Sequence, residues 1–363
     1  IYIMRLSKRS RTMKRGRSRR SRRSRSRRRR SRSMRGGGLW DTIKSFNLIT
    51  IMDLLHIIVG ISLILLGVSG TIYFLSTRPY QSPESVAQSY DQWTKDGILE
   101  FYWGEHIHLG YYGSPPQKKD FLKAKSDFVH EMVHWGKLNK LPTETSVLDV
   151  GCGIGGSSRI LSRNYGFNVT GITISPKQVK RAQELSSSDL NTKFMVNDAM
   201  NLSFSDDSFD VVWCIEAGPH MSNKRKFAQE LLRVLKPNGI LIVADWNQRD
   251  DRKQPLNFLE ATIMKQLLEQ WSHPAFASIE GFTELLEITG LVKGKVITDD
   301  WTEQTLPSWL ESIWQGIKRP SGLWHFGIIG FIKSLREVPT LLLMRIAFGT
   351  GLCKFGMFYA VKK

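Results

Sequence analysis

Residues 147–158, VLDVGCGIGGSS, run an apolar strand into a glycine loop and on into a helix. Val147, Leu148 and Val150 make a short buried strand, and Gly151, Gly153 and Gly156 let the backbone turn sharply and approach a ligand. The spacing also satisfies GxGxxG, which suits a dinucleotide and does not discriminate by itself. Asp149 does discriminate. At a strand end its carboxylate would repel a pyrophosphate, whereas it attracts the ammonium and sulfonium of S-adenosylmethionine. A dinucleotide site also wants Asp or Glu about 20 residues on for the ribose. Here the next strand, NVTGITIS, ends in Thr173, Ile174 and Ser175. The methyl-donor reading therefore takes precedence over the nicotinamide one.

Outward from this motif, strands and helices alternate as in a doubly wound sheet. Strands are expected at 146–151, 168–173, 193–197, 210–215 and 240–245, with two more at 291–298 and 352–361. Ser175, Pro176 and Gln178 read as N-cap, first helical residue and capping-box partner of the second crossover helix. Residues 84–140 read as a helical cap interrupted by an aromatic loop, and 141–363 as the main domain. An insertion at about 302–350 sets Trp309, Trp314, Trp324, Phe326 and Phe331 beside Lys318, Arg319, Lys333 and Arg336. That mixture suits a membrane interface or an aromatic lid over the site.

The net charge of +19 is not spread evenly. Residues 1–51 hold 19 of the 52 Lys and Arg against one acid, Asp41, so the remainder is close to neutral. No nucleic-acid partner is expected for that remainder. The Arg-Ser tail cannot form a core; Met52 stands where an initiator is expected, so residues 1–51 read as outside the working protein. Leu54 to Leu75 has His56 as its one side chain that titrates near neutral pH. As a helix it is about 33 Å long, enough to cross a bilayer core, and residues 52–77 are read as a transmembrane anchor. With the tail excluded, the positive-inside rule puts the main domain on the cytoplasmic or stromal side, where the methyl donor is made. Cys152, Cys214 and Cys353 form no CxxC pair, as suits a reducing compartment. Cys152 reads as a small loop residue.

Several stretches together carry a resemblance: YDQWTKDGILEFYWGEHIHLGYYG (90–113), VLDVGCGIGGSSRIL (147–161), GITISPKQVKRA (171–182), FDVVWCIEAGPHM (209–221), VADWNQRDD (243–251), QWSHPAFASIEGF (270–282) and REVPTLLLMRIAFG (336–349). From Met52 onward the chain resembles the methyltransferases of vitamin E synthesis that act on 2-methyl-6-phytylbenzoquinol, kin of the γ-tocopherol methyltransferases. The glycine motif marks only the superfamily; the GEHIHLGYY loop and ADWNQRDD narrow it to prenylated quinones. The resemblance implies a class I S-adenosylmethionine-dependent methyltransferase fold, α/β and Rossmann-like with a seven-stranded doubly wound sheet, behind an N-terminal transmembrane helix. It implies ring methylation of a lipid-soluble prenylquinol taken from a membrane, with the solanesyl analogue as a second substrate. The alternative is methylation of the γ-tocopherol chromanol ring.

For the cofactor, Asp149, Gly151 and Gly153 are expected at the methionine end, with Gly155 and Gly156 shaping the loop. The superfamily's acid at the end of the second strand is missing, so Thr173 or Ser175 is expected at the ribose, with Gln178 either there or capping its helix. Asp198 and Ala199 match the position that meets the adenine, and Glu216 ends the fourth strand at the switch point. Candidate acid–base groups are His220, Glu216 and one of His106 and His108, since alternating residues do not readily face one side together. The sequence is read as holding no His-x3-His spacing and no cysteine cluster, so no metal is expected. Tyr90, Trp93, Tyr102 and Trp103 are assigned to a cap core by default.

Overall fold

The computed structural model describes residues 38–75 and 77–363, so the Arg-Ser tail through residue 37 lies outside the described residues. The chain divides into two compact units, residues 1–61 and 62–363. Helix α1, Gly38–Leu75, begins inside residues 1–51, the stretch read above as outside the working protein. Leu39, Trp40, Ile43 and Phe46 continue the apolar run upstream, and a nucleated helix propagates cheaply. Within it Ile51–Thr71 is long and apolar enough to cross a membrane.

Three helices follow: α2 Pro83–Asp96, α3 Ile98–Trp103 and α4 Phe121–Trp135. The sheet then begins. Its strands are β1 Ser146–Val150, β2 Asn168–Thr173, β3 Thr192–Val196, β4 Phe209–Ile215, β5 Leu235–Gln248, β6 Ile297–Asp300 and β7 Cys353–Val361, in spatial order β3-β2-β1-β4-β5-β7-β6. The first five run parallel and β7 is antiparallel to both neighbours. Crossover helices are α5 Gly156–Tyr165, α6 Pro176–Leu185 and α7 Lys224–Arg233; α8 Phe258–Gln270 and α9 Ile279–Glu287 precede β6. Before β7 come α10 Thr302–Thr305, α11 Pro307–Lys318 and α12 Gly322–Gly349, the last broken at Gly327.

Alternation within the strands builds two cores. Val147, Val211 and Trp213 face one layer, while Leu148, Val150, Val212 and Cys214 face the other. Two strands depart from expectation. The sixth is Ile297–Asp300 rather than 291–298, where Val292 makes only an isolated bridge to Lys362; left-handed Gly294 interrupts the extension. β5 starts before the Pro237-Asn238-Gly239 turn, because the register slips between Phe209 and Val211 and a bulge absorbs those residues. Strand order reverses between β1 and β4, so a crevice opens beyond their C-terminal ends.

Candidate active site

A cavity of about 650 Å³ occupies that crevice, inside the range of about 300–1,000 Å³ common for small-molecule sites. Its floor is the glycine loop. Gly151 is left-handed, and a Cβ there would lie 2.4 Å from the Ala217 Cβ, so only glycine lets β1 close on the β4 loop. Gly153 is also left-handed, but a Cβ there would meet nothing within 4 Å; the backbone is bared to open space. Asp149 is 2 % exposed and accepts the Ser158 hydroxyl at 2.5 Å. Burial pushes its carboxyl up to about 6, against the pull of that hydrogen bond.

Along the β2 side, Thr173 lines the cavity and donates to Gln178 Oε1 at 2.7 Å. Gln178, Asp198 and Ala199 line it too, and Asp198 accepts the Met200 N–H at 2.9 Å. Two expected cofactor residues do not reach the cavity. Ser175 is fully buried, caps α6 by accepting the Gln178 N–H at 3.1 Å, and gives its hydroxyl proton to Asp91 at 2.5 Å. Its bonding capacity is spent on tying α2 to α6. Gly155 packs under the loop instead, where a Cβ would strike the Phe194 ring and the Arg159 guanidinium.

Glu216 stands at the end of β4 with φ +54°, a strained value for a side-chain-bearing residue. Its Oε1 accepts the Leu109 N–H at 2.8 Å, and the carboxyl lines the cavity. Burial drives its pKa up to about 8, only partly offset by the Leu109 N–H and the Lys125 charge. Lys125 is itself buried on α4 and its ammonium pKa is pushed well down. It donates to the carbonyls of Trp103 (3.1 Å) and His106 (2.6 Å) and sits 4.0 Å from the Trp103 ring centroid. One side chain thus ties the start of the aromatic loop to α4.

His106 and His108 both line the cavity, against the expectation that only one would. The loop folds back so that His106 Nδ1 and His108 Nε2 meet at 3.1 Å. His108 Nδ1 donates to the Leu109 carbonyl at 2.7 Å. Both His108 nitrogens are therefore engaged within the loop, and burial lowers its pKa to about 3. At the loop's start Glu105 pairs with the buried Arg159 at 2.7 Å.

His220 lies on the opposite wall. Its Nε2 meets the Tyr90 hydroxyl at 2.7 Å, and its ring stacks on His273 at 4.2 Å. Burial and the nearby Lys224 charge lower the His220 pKa to about 3, so the imidazole is neutral. Neither His220 Nδ1 nor His273 Nδ1 meets a protein partner. Trp246 and Trp271 complete this aromatic wall.

Tyr90, Trp93 and Trp103, assigned above to a cap core, line the cavity, whereas Tyr102 packs on Phe101 and Phe326 away from it. His273, Lys125 and Trp246 were not singled out at all. His273 and Trp246 fall inside two of the stretches that carry the family resemblance, the one signal that pointed to them. Cys152 lines the loop with its thiol pKa raised by burial, as an inert residue. Contrary to that reading of the sequence, His130 and His134 do form a His-x3-His spacing on α4; His130 Nδ1 bonds the Tyr165 hydroxyl at 2.7 Å. Among the described residues no three His, Cys, Asp or Glu side chains gather as a metal-ligating set.

A family model described as a methyltransferase domain matches residues 148–243. The chain is 67 % identical over 304 residues to the 2-methyl-6-phytyl-1,4-hydroquinone methyltransferase of Synechocystis sp., covering 84 % of this chain and 96 % of that protein. It is 32 % identical over 290 residues to the chloroplastic tocopherol O-methyltransferase of Arabidopsis thaliana, covering 76 % and 80 %. Among solved structures it is similar to a phosphoethanolamine N-methyltransferase of Haemonchus contortus in complex with S-adenosyl-L-methionine. That match has a TM-score of 0.62 at 18 % identity, over 75 % of this chain and 60 % of the other.

Proposed function

This chain belongs to the 2-methyl-6-phytyl-1,4-hydroquinone methyltransferase family, and we propose that it transfers a methyl group from S-adenosylmethionine to a ring carbon of that hydroquinone. The product is the 2,3-dimethyl-6-phytyl hydroquinone, and the solanesyl analogue is a second acceptor of the same chemistry. Twofold greater identity to the hydroquinone enzyme than to the tocopherol enzyme favours this over chromanol methylation. One observation carries the chemistry: a single cavity holds a bared glycine loop beside a buried carboxylate on one wall and an aromatic, imidazole-lined wall opposite.

The residues present fit the donor. Gly153 leaves room where any other side chain would stand, and the Asp149 carboxylate complements a cation in a site of low dielectric. Gly151, Thr173, Gln178, Asp198 and Ala199 continue that wall and would hold the remainder. When bound, S-adenosylmethionine supplies an electrophilic methyl on a sulfonium.

The chain's own residues must orient the quinol, exclude water and manage protons. Trp246 and Trp271 offer flat apolar faces for the ring. Tyr90, donating to His220 Nε2, fixes the tautomer that carries a proton on Nδ1. That Nδ1–H and the free Nδ1 of His273 form a donor and an acceptor suited to a phenolic hydroxyl. Glu216 accepts the ring proton displaced as the new carbon–carbon bond forms; a carboxyl with pKa about 8 is near the optimum for such a base. Lys125 positions the loop that gives Glu216 its Leu109 N–H. Proximity in a dry cavity supplies much of the rest.

The phytyl chain explains the apolar helix. Holding each methylene in water costs about 0.8 kcal/mol, so the acceptor stays in a bilayer and the enzyme comes to it. The catalytic domain is assigned to the cytoplasmic or stromal side, with its donor. The test is product analysis from full-length protein in vesicles offered both 2-methyl-6-phytylhydroquinone and γ-tocopherol. Methylation of the hydroquinone alone, or many-fold faster, is expected; preference for γ-tocopherol would reverse the assignment.

A further inference from the structure

Helix α12 carries a row of apolar residues that the soluble core does not use. Ile328, Ile332, Leu335, Pro339, Leu342 and Ile346 recur at steps of four and three, which puts them on one face. Ile328 is 64 % exposed and Ile346 48 %, and the row ends near Trp324, 88 % exposed. No charged side chain stands in the row. Lys333 is turned to Asp96 at 2.6 Å, and buried Arg336 to Glu337 at 2.7 Å. The ridge is about 27 Å long at 1.5 Å per residue.

A backbone detail says what covers it. Pro339 has no N–H, so the carbonyl four residues earlier, that of Leu335, loses its helical partner. Ser69 supplies the replacement, its hydroxyl donating to the Leu335 carbonyl at 2.7 Å. Ser69 belongs to the apolar stretch Ile51–Thr71, two residues from its end, or about 3 Å along the axis. A hydroxyl that re-satisfies a proline-freed carbonyl is how helices pack where water is absent. The face of α12 turned away from the ridge lines the cavity through Ser334, Glu337 and Leu341, joined there by Thr77 and Arg78 just beyond α1. The ridge and the cavity rim therefore lie on opposite faces of α12, at the level where the apolar stretch of α1 ends.

We propose that α12 is a second membrane element: its ridge beds into the lipid leaflet at the end of α1, docked through Ser69 and Leu335, so that the cavity rim on its other face is held at the leaflet surface. The occupant of the ridge is acyl chain, and the acceptor's prenyl tail stays in the leaflet while its ring enters past Glu337 and Leu341. This rests on the assignment of a prenylated acceptor.

The test uses the full chain in vesicles. Ile332→Cys carries an environment-sensitive fluorophore, with Lys180→Cys on α6, whose side chain is 80 % exposed, as reference; Cys152, Cys214 and Cys353 are buried and spared. The label at 332 is expected to be quenched by nitroxide-bearing lipid and shielded from aqueous iodide, the label at 180 the reverse. Ile332→Asn with Ile346→Asn should raise KM for vesicle-borne phytylhydroquinone several-fold, with kcat/KM for a soluble short-chain hydroquinone unchanged. Equal iodide access at 332 and 180 overturns the proposal, as does shielding of 332 by self-association without vesicles. Failure to methylate any hydroquinone would instead refute the proposed function and leave the quenching result standing.

Discussion

A Glu216→Gln variant keeps an acceptor for the Leu109 N–H but removes the titratable carboxyl. Burial holds the native pKa at about 8 against an ordinary 4.5, so the folded protein binds this proton more tightly than the unfolded chain does. The stabilisation is complete below the ordinary value and is lost as pH rises through about 8. At about 1.36 kcal/mol per pH unit the interval sets a ceiling of about 5 kcal/mol, and hydration of the open cavity lowers the expected loss to about 1–3 kcal/mol. Urea unfolding from about pH 5 to about pH 9 should show wild type losing that much more stability than the variant. In the same interval wild-type kcat/KM should climb to a plateau above about pH 8. The variant should fall by about 10²–10⁴-fold and lose the climb. Superimposable stability curves, or an unchanged rising limb in the variant, would show that Glu216 does not titrate there and is not the base.

Donor affinity should weaken as pH falls through about 6, where Asp149 takes up a proton; calorimetry should find Asp149→Asn weak and insensitive to pH over that range. Lys125→Met strips a charge that lowers the Glu216 pKa, so the rising limb of kcat/KM should move to higher pH. It also leaves the Trp103 and His106 carbonyls unpaired at about 1–3 kcal/mol each, read as a lower unfolding midpoint. His273→Phe keeps the ring stacked on His220 but removes its acceptor. KM for the hydroquinone should rise while donor affinity stays constant in the same calorimetric titration.

The parallel half of the sheet was legible because buried strands and crossover helices write their periods locally, and Ser175 with Pro176 marked the start of α6. The same locality misled at Ser175. Its position at a strand end suits a ribose ligand and an N-cap equally, and only the contact with Asp91, 84 residues away, decides between them. Tyr90 was passed over for a related reason, since its partner His220 lies 130 residues on. His106 and His108 looked incompatible under strand alternation, yet a loop pinned by Lys125 obeys no such period. The failure at 291–298 is one of pattern: the β-branched and apolar pairs Leu291-Val292 and Val296-Ile297 on either side of Gly294 mimic a strand that a left-handed glycine interrupts. The ridge on α12 was visible only as a scatter of aromatic and basic residues until the helix placed it against Ser69.

The most direct measurement gives the full-length protein S-adenosylmethionine with a trideuterated methyl group and 2-methyl-6-phytylhydroquinone in vesicles, and locates the label by fragmentation mass spectrometry. One labelled methyl on the ring carbon beside the existing methyl is the expected product. Label on a phenolic oxygen, or no transfer by protein that retains the donor, would contradict it.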